Sequence, residues 1–436
     1  MLTLKKYQNK KIAIYGMGIT GYSAAKTFSK LKAKVYCWDD IKKVRKKIKN
    51  SKFKVKKFWL DKNSIDYILI SPGIDINKSK IKKYLNKNFK KIITDIDLFF
   101  EINKDADIIS ITGTNGKSTT CKIIEKILKT AKYNVKTVGN IGNPILSFSR
   151  PKKKFTYILE ISSYQLQYSK LFRSKHAAIL NISPDHLERH KNIYNYIKTK
   201  SKIFYKQKKL DYSYINYNNK YYTTIKKIFK SKKVKSKLII VNQFKYRLFL
   251  KKLNNKYFKS QGNLDNLAFA YNIAKKLNIS DQDIIKALNK FKGLKHRQEI
   301  VFKSKKILCI NDSKATSFDA SLQSLLNYNK IYWIVGGLPK YKDHFYLKKI
   351  KKKIIKAYII GKNTSYFRRK IENYVPYKIS NNIYKAIENI YKDLTFNLDQ
   401  NVTILLSPAA ASFDQFENFE KRGNYFKNLI LRKFNV

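Results

Sequence analysis

The sequence predicts an α/β protein built from open, mostly parallel sheets in three successive domains. Three observations carry that expectation. The apolar stretch Lys11–Tyr15 reads as a strand, runs into Gly16-Met-Gly18-Ile-Thr-Gly21 and continues as a helix to about Leu31, the G-x-G-x-x-G layout of a βαβ unit. A second run, Ile108 to Ile111, breaks at Thr112-Gly113-Thr114-Asn115-Gly116, and a helical pattern follows from Lys117 with Ile123, Ile124, Ile127 and Leu128 on one face. Short apolar runs then recur along the chain and end in Ser, Asp, Gly or Pro, at the strand edges where open α/β sheets bind ligands. Boundaries near 94 and 293 give domains over 1–94, 95–293 and 294–436.

The elements follow in order. Ala33 to Trp38 is a second strand, ending in Asp39-Asp40 about 20 residues after the glycines. The loop before it suits NAD, another nucleotide's diphosphate, or a turn that has kept the fold without a ligand, and the motif alone does not choose. Asp66 to Ile70 is a strand closed by Ser71-Pro72-Gly73, and Thr94 to Phe100 opens a connecting helix. The loop before Lys117 reads as a phosphate cradle. Backbone N–H groups and the helix N-terminus face the phosphates, Lys117 neutralises the outer ones, and Ser118 reaches a Mg2+ ion. Ile111 stands where the general pattern has its first glycine.

Val135 to Val138 is a strand before Gly139-Asn140-Ile-Gly142-Asn-Pro144, and Thr156 to Glu160 ends in a carboxylate placed to hold Mg2+ or its water. Ala177 to Ile182 is a strand before Ser183-Pro-Asp185-His186-Leu-Glu-Arg189-His190, where two of five histidines gather, which suits metal or phosphate contact. Residues 210–258 give no clear period. Helices follow from Gly262 and from Asp281 to Phe291. Beyond Gly293-Leu-Lys-His296-Arg297, strands are expected over Lys306–Ile310, Tyr332–Val335, Ala357–Ile360 and Val402–Leu406.

Composition narrows the class. A chain of 436 residues with 43% hydrophobic content can bury two or three cores. Cys37, Cys121 and Cys309 lie far apart without a C-x-x-C pair, which argues for a reducing compartment and against a disulfide frame or zinc site. The first residues are polar, and no stretch approaches the ~18 apolar residues of a membrane span. These features lead to an expectation of a soluble cytoplasmic protein. The net charge of +65 suits nucleic acid or an anionic membrane. It also suits an A/T-rich genome, because Lys, Asn, Ile and Tyr share such codons. The lysines spread over the whole chain rather than gathering in one stripe, which favours the second explanation and predicts no specific nucleic-acid partner.

Taken together, these stretches resemble the Mur ligases of peptidoglycan synthesis over nearly the whole chain and in the same order. The resemblance rests on Gly16–Gly21, Ser71–Gly73, Gly113–Thr119, Gly139–Gly142, Leu159–Gln165, Asp185–His190, His296–Glu299, Asn311-Asp-Ser-Lys-Ala-Thr316 and Ser407–Phe416. The last two point to the branch that adds D-glutamate. The resemblance implies a Rossmann-like N-terminal domain, a central P-loop-type ATPase sheet and a Rossmann-like C-terminal domain that closes over the nucleotide. It implies ATP, two Mg2+ ions, UDP-N-acetylmuramoyl-L-alanine and D-glutamate as ligands of a monomer. The alternatives are a Mur ligase for another amino acid and a nucleic-acid-stimulated ATPase.

The resemblance also implies residue roles. The uridine-diphosphate substrate falls to Gly18, Ile19, Thr20, Asp39, Ser71 and Gly73, with Ser162 and Gln165 further along. ATP falls to Gly113, Thr114, Asn115, Gly116, Lys117, Ser118, Thr119, Asn140, Asn266, Arg297 and Asp312. Metal falls to Ser118, Glu160 and His186. Lys200 matches a lysine that is carbamylated in the family, and with Lys117, Glu160 and His186 it makes up the catalytic set. D-Glutamate falls to Lys314, Thr316, Ser412 and Phe413, with Phe419 in support. Gly262 stands where the family usually has His.

Overall fold

The computed structural model describes residues 4–49, 51, 53–61, 64–139, 144–147, 155–340, 343–395 and 401–434. The chain forms two compact units, 1–291 and 292–436.

The first unit holds two sheets. Strands β1 (Lys11–Tyr15), β2 (Lys34–Trp38), β3 (Lys54–Val55), β4 (Tyr67–Ile70) and β5 (Ile92–Ile93) lie in the order β3-β2-β1-β4-β5 and are parallel throughout. Both faces are covered, so side chains of both parities are apolar: Ile12 and Ile14 enter one core, Ala13 and Tyr15 the other. The order reverses between β1 and β4, and a crevice opens there at the carboxyl ends.

The second sheet contains β6 (Asp107–Thr112), β7 (Val135–Gly139), β8 (Thr156–Glu160), β9 (His176–Ile179), β10 (Tyr212–Asn216) and β11 (Lys237–Val241) in the parallel order β11-β10-β9-β6-β8-β7. Its reversal lies at β6, directly before the Gly-Lys-Ser loop. Helices Lys117–Thr130, Gln261–Lys276 and Asp281–Asn289 contribute to one core with Ile109, Ile111 and Ile158. The opposite core is continuous with that of the first sheet, joining Phe28, Ile96, Phe99, Val138, Leu146 and Tyr157. Helix Asp95–Ile102, beside the boundary expected near 94, stands in this shared core. Its Asp97 carboxylate completes a capping box with Thr94 and accepts N–H bonds from Lys170, Leu171 and Phe172.

The 210–258 stretch contains β10, helix Tyr222–Ser231 and β11. Its period was obscured because β11 is an edge strand with exposed and half-buried positions mixed. Both loop helices begin inside their glycine motifs. The first spans Ile19–Lys30 with Gly18 as its cap, three residues earlier than the apolar pattern suggests, and the second starts at Lys117 after Gly116. The expected strand over 177–182 ends at Ile179, where the chain turns toward the site.

The second unit is one sheet of β12 (Glu299–Lys303), β13 (Ile307–Asn311), β14 (Ile331–Gly336), β15 (Ile354–Ile360), β16 (Tyr377–Asn381) and β17 (Val402–Leu406). The order is β12-β13-β17-β14-β15-β16, with only β12 antiparallel. Trp333, Val335 and Leu405 fill one face against Phe318 and Phe367, while Tyr332, Ile334 and Leu406 fill the other against Ile383 and Phe426. β17 returns between β13 and β14, so the loops after these three strands meet at one carboxyl edge.

Candidate active site

In the first unit, the ends of both sheets wall a cavity of about 640 Å³. The first sheet supplies its glycine turn. Gly21 lies so close to the strand end that an added Cβ would fall 2.0 Å from the Gly16 carbonyl oxygen. Asp39, at the end of β2, accepts the Met17 N–H at 2.7 Å and the Ile41 N–H at 2.9 Å, so its carboxylate fixes the turn. The Ser71 hydroxyl donates to the Gly16 carbonyl. Gly18, Ile19, Thr20, Asp39, Ser71 and Gly73 all line the cavity.

The second sheet supplies the phosphate loop and its neighbours. Gly113, Lys117, Ser162, Gln165, His186 and Lys200 line the same cavity. Lys117 folds back, its ammonium donating to the Gly113 and Thr114 carbonyls at 2.9 and 2.8 Å. Ser118 donates to the Glu160 carboxylate at 2.6 Å, joining the first turn of the helix to the end of β8. Asn181 holds the loop from behind, accepting the Asn115 N–H at 2.8 Å and donating to its carbonyl at 3.1 Å. Thr114 bonds Ser183. Thr119 is buried in the same helix turn. Asn266 lies under the loop, accepting from the Thr120 hydroxyl at 3.1 Å.

His186 and Lys200 complete this wall, and His190 is buried nearby. His186 has a left-handed backbone (φ 55°) and shares a hydrogen bond between Nδ1 and the Tyr164 hydroxyl at 2.9 Å. That leaves Nε2 on the opposite side of the ring, 3.4 Å from Asp185. His190 bonds Ser163, and burial, with His186 and Arg189 adding to it, pushes its pKa down to about 4. Lys200 is only 2% exposed. Its amine donates to the Gly113 carbonyl at 2.9 Å and lies 4.8 Å from the Tyr196 ring centroid. Burial, and then the Lys117 charge, hold that amine well below the usual lysine range.

In the second unit, Lys314 places its ammonium 3.7 Å from the Phe419 ring centroid. Thr316 is half-buried, Ser412 is buried, and Phe413 is 71% exposed, so Phe413 is no part of the core. Arg297 is half-buried. The Asp312 carboxylate is spent on protein donors: Ser324 at 2.5 Å, Ser407 at 3.0 Å and the Gln298 N–H at 3.2 Å. Burial pushes its pKa up to about 6.

Comparison with known proteins places the chain in a family. A family model described as the Mur ligase middle domain matches residues 111–280, and one described as a Mur ligase, MurD-like N-terminal domain matches 10–93. A UDP-N-acetylmuramoylalanine--D-glutamate ligase from Rickettsia bellii is 34% identical over 450 residues, covering 98% of each chain. The chain belongs to the Mur ligase family. The Rickettsia felis protein of the same name is 35% identical over 453 residues, again covering 98% of each. Among solved structures, a MurF ligase from Thermotoga maritima in complex with ADP has a TM-score of 0.55 at 13% identity, covering 99% of this chain and 98% of that one. At that identity the likeness is one of fold.

Within this Mur ligase, Asn140 lies outside the described residues. Among the described residues, no group of three His, Cys, Asp or Glu side chains forms a ready-made metal site, and no helix is long and apolar enough to cross a membrane. Sequence reasoning passed over Asn181, Tyr164 and Arg189. Arg189 donates to the Ile74 carbonyl at 2.6 Å and stacks against Tyr164 and Tyr168, tying the Pro72-Gly73 turn to the His186 loop. Its position inside Asp185–His190 was the available signal.

Proposed function

We propose that this Mur ligase joins the amine of D-glutamate to the L-alanyl carboxylate of UDP-N-acetylmuramoyl-L-alanine, converting ATP to ADP and phosphate, as a cytoplasmic monomer in peptidoglycan precursor synthesis. The observation that carries this reading is the shared cavity, in which a dinucleotide-type turn and a phosphate loop face one space. The curated relatives that match from end to end carry the name of that reaction. We assign the first sheet to the uridine-diphosphate substrate, the second to ATP and the second unit to the amino acid. The glycine turn at the Ile19–Lys30 helix suits a diphosphate as well as it suits a dinucleotide.

The chemistry is one of charge. The substrate carboxylate attacks the γ-phosphorus, the bond to ADP breaks, and an acyl phosphate forms. The neutral amine of D-glutamate then attacks the acyl carbon, phosphate departs, and the nitrogen loses a proton. Two anions meet in the first step, so cations must lie along their path. Lys117 is one: its ammonium leaves the Gly113 and Thr114 carbonyls for the outer phosphates. The hydroxyl of Ser118 and the carboxylate of Glu160, 2.6 Å apart, are the hard oxygen donors that fit Mg2+. His186, which lines the same cavity, is assigned with Glu160 to a second Mg2+. Bound there, Mg2+ supplies the positive charge that draws the phosphate and carboxylate oxygens together.

Lys200 is assigned as a carbamate. Carbon dioxide adds to the neutral form of an amine, which loses a proton as the carbamate forms, and burial, then the Lys117 charge, shift Lys200 toward that form. The product is carboxylate-like and supports a cation that an ammonium would repel. Gly113, Thr114, Asn115, Gly116 and Thr119 line the phosphates, and Asn140, Asn266, Arg297 and Asp312 are the remaining nucleotide assignments. Asn266 and Asp312 serve as supports, because their side chains are already bonded within the protein. Lys314, Thr316, Ser412, Phe413 and Phe419 form the amino-acid assignment, a lysine and two hydroxyls suiting two carboxylates.

The test is phosphate release with ATP, Mg2+ and UDP-N-acetylmuramoyl-L-alanine, comparing D-glutamate, L-glutamate and L-alanine, with single-stranded DNA as a control. Release that requires both the uridine nucleotide and D-glutamate is expected. Release driven by L-alanine would assign another amino acid, and release driven by DNA would return the +65 charge to the centre of the function.

A further inference from the structure

Arg422, in the first turn of helix Phe419–Phe434, is 1% exposed. Its guanidinium spans two of the strand-end loops. Nε donates to the Ser313 hydroxyl at 3.0 Å, and Nη2 donates to the Ser313 carbonyl at 2.7 Å and the Ala410 carbonyl at 3.0 Å. The Ser313 hydroxyl in turn donates to the Phe419 carbonyl at 2.9 Å. A Cβ added at Gly337, after β14, would fall 3.4 Å from Nη1, so the third loop closes over the same group.

Two features set this arginine apart from an ordinary structural one. It makes no ion pair among the described residues, and its buried Nη1 has no hydrogen-bond partner. A buried guanidinium without a carboxylate is costly, and its field is weakly screened. Burial pulls its pKa down to about 10, and the more distant Asp414 and Asp312 offset part of that. The residues next to its acceptors are Lys314 on one loop and, two positions beyond Ala410, Ser412 on the other.

We propose that Arg422 is a positioning and charge-selecting residue for the incoming amino acid. It holds the Lys314 and Ser412 loops at the spacing that reads two carboxylates, and it supplies a buried positive charge that an acidic amino acid completes and a neutral one does not. This rests on the assignment of the second unit to the amino acid. The residue accordingly acts on D-glutamate and leaves ATP and the uridine substrate alone.

The experiment is steady-state kinetics of Arg422→Gln and Arg422→Lys, varying each substrate in turn and comparing D-glutamate with its uncharged isostere D-glutamine. For R422Q the expected result is a rise in KM for D-glutamate of at least ~30-fold, the lower end of the loss for truncating one partner of a buried charge pair. KM for ATP and for the uridine substrate should stay within ~2-fold, since those contacts are untouched. The preference for D-glutamate over D-glutamine narrows, and R422K restores part of it by keeping the charge. An unchanged KM for D-glutamate, or equal rises for all three substrates, overturns the proposal. Should R422Q fail to fold, Ser313→Ala decides. It removes the hydroxyl relay alone, and a D-glutamate-selective rise supports the proposal while none overturns it. A wild-type protein without D-glutamate-dependent turnover removes the ligase reading itself. Wild-type turnover with an unaltered R422Q removes only this role.

Discussion

Gly116→Ala tests whether the phosphate loop is held from beneath. Gly116 sits at φ +82°, and an added Cβ would fall 2.3 Å from Asn266 Oδ1 and 3.1 Å from its Cγ. The left-handed backbone costs alanine ~1–2 kcal/mol. The clash then pushes Asn266 off the Thr120 hydroxyl, losing a hydrogen bond worth ~0.5–1.5 kcal/mol. The expected destabilisation is about 2–3 kcal/mol, a fall in melting midpoint of ~2–5 °C for a chain of this size. ATP saturation should weaken with it, because the displaced backbone is the proposed phosphate cradle. Asn266→Ala alone strands the buried Thr120 hydroxyl and costs ~1–3 kcal/mol. In the double variant the clash has no partner, so the two costs should sum to more than the double variant loses, by at least ~1 kcal/mol. Urea denaturation of the four proteins gives that coupling directly, and ATP titrations give its functional counterpart. Additivity within ~0.5 kcal/mol would refute the support role of Asn266.

Lys200→Ala should lower kcat at least ~100-fold, the scale of losing a preorganised charge, when assayed below the melting midpoint of the variant, and wild-type activity should fall in CO2-depleted buffer and return with bicarbonate; constant activity would sink the carbamate. Gly21→Ala should destabilise the first unit by on the order of 3 kcal/mol, because the obstacle is the Gly16 carbonyl rather than a movable side chain, and uridine-substrate saturation should suffer before ATP saturation. Asp312 holds its proton more tightly when folded, with a pKa raised from 3.8 to about 6. Its contribution is therefore full below about pH 4 and lost as pH rises through 6, amounting to about 3 kcal/mol. Asp312→Asn should flatten that part of the urea midpoint against pH between 4 and 7, and an identical slope in the variant would refute the burial argument.

How much of this was legible depended on what each residue had to satisfy. Strands buried on both faces, such as β1, β6 and β17, announced themselves as continuous apolar runs. Their loops did too, because an open sheet gathers polar and glycine residues where strands end. The glycines were readable for a steric reason. Gly21 faces a carbonyl, and Gly116 combines a left-handed backbone with a close asparagine, so a side chain is costly at either place. Edge strands were harder. β16 and β11 mix exposed and half-buried positions, so neither alternates cleanly. The first unit also has a core shared between its sheets, which sequence periodicity cannot register. Periodicity reports that a face is buried, not against which sheet.

The cations were the least legible part, and the reason lies in the composition. In a chain with 94 lysines and arginines, residue type marks nothing. Lys117 was found through its loop and Lys200 through its place in a family pattern, whereas Arg422 had neither. What distinguishes the functional cations physically is desolvation. A lysine on the surface is screened by water, while Lys200 and Arg422, at 2% and 1% exposure, act through a low-dielectric interior. For Lys200, burial and then the neighbouring Lys117 charge weaken the hold on its proton. Arg422 keeps its charge, because guanidinium cannot shed its proton at neutral pH. The same burial therefore serves two different proposed roles: it loosens the proton of the amine assigned to take up carbon dioxide, and it leaves unscreened the guanidinium proposed to select an acidic substrate.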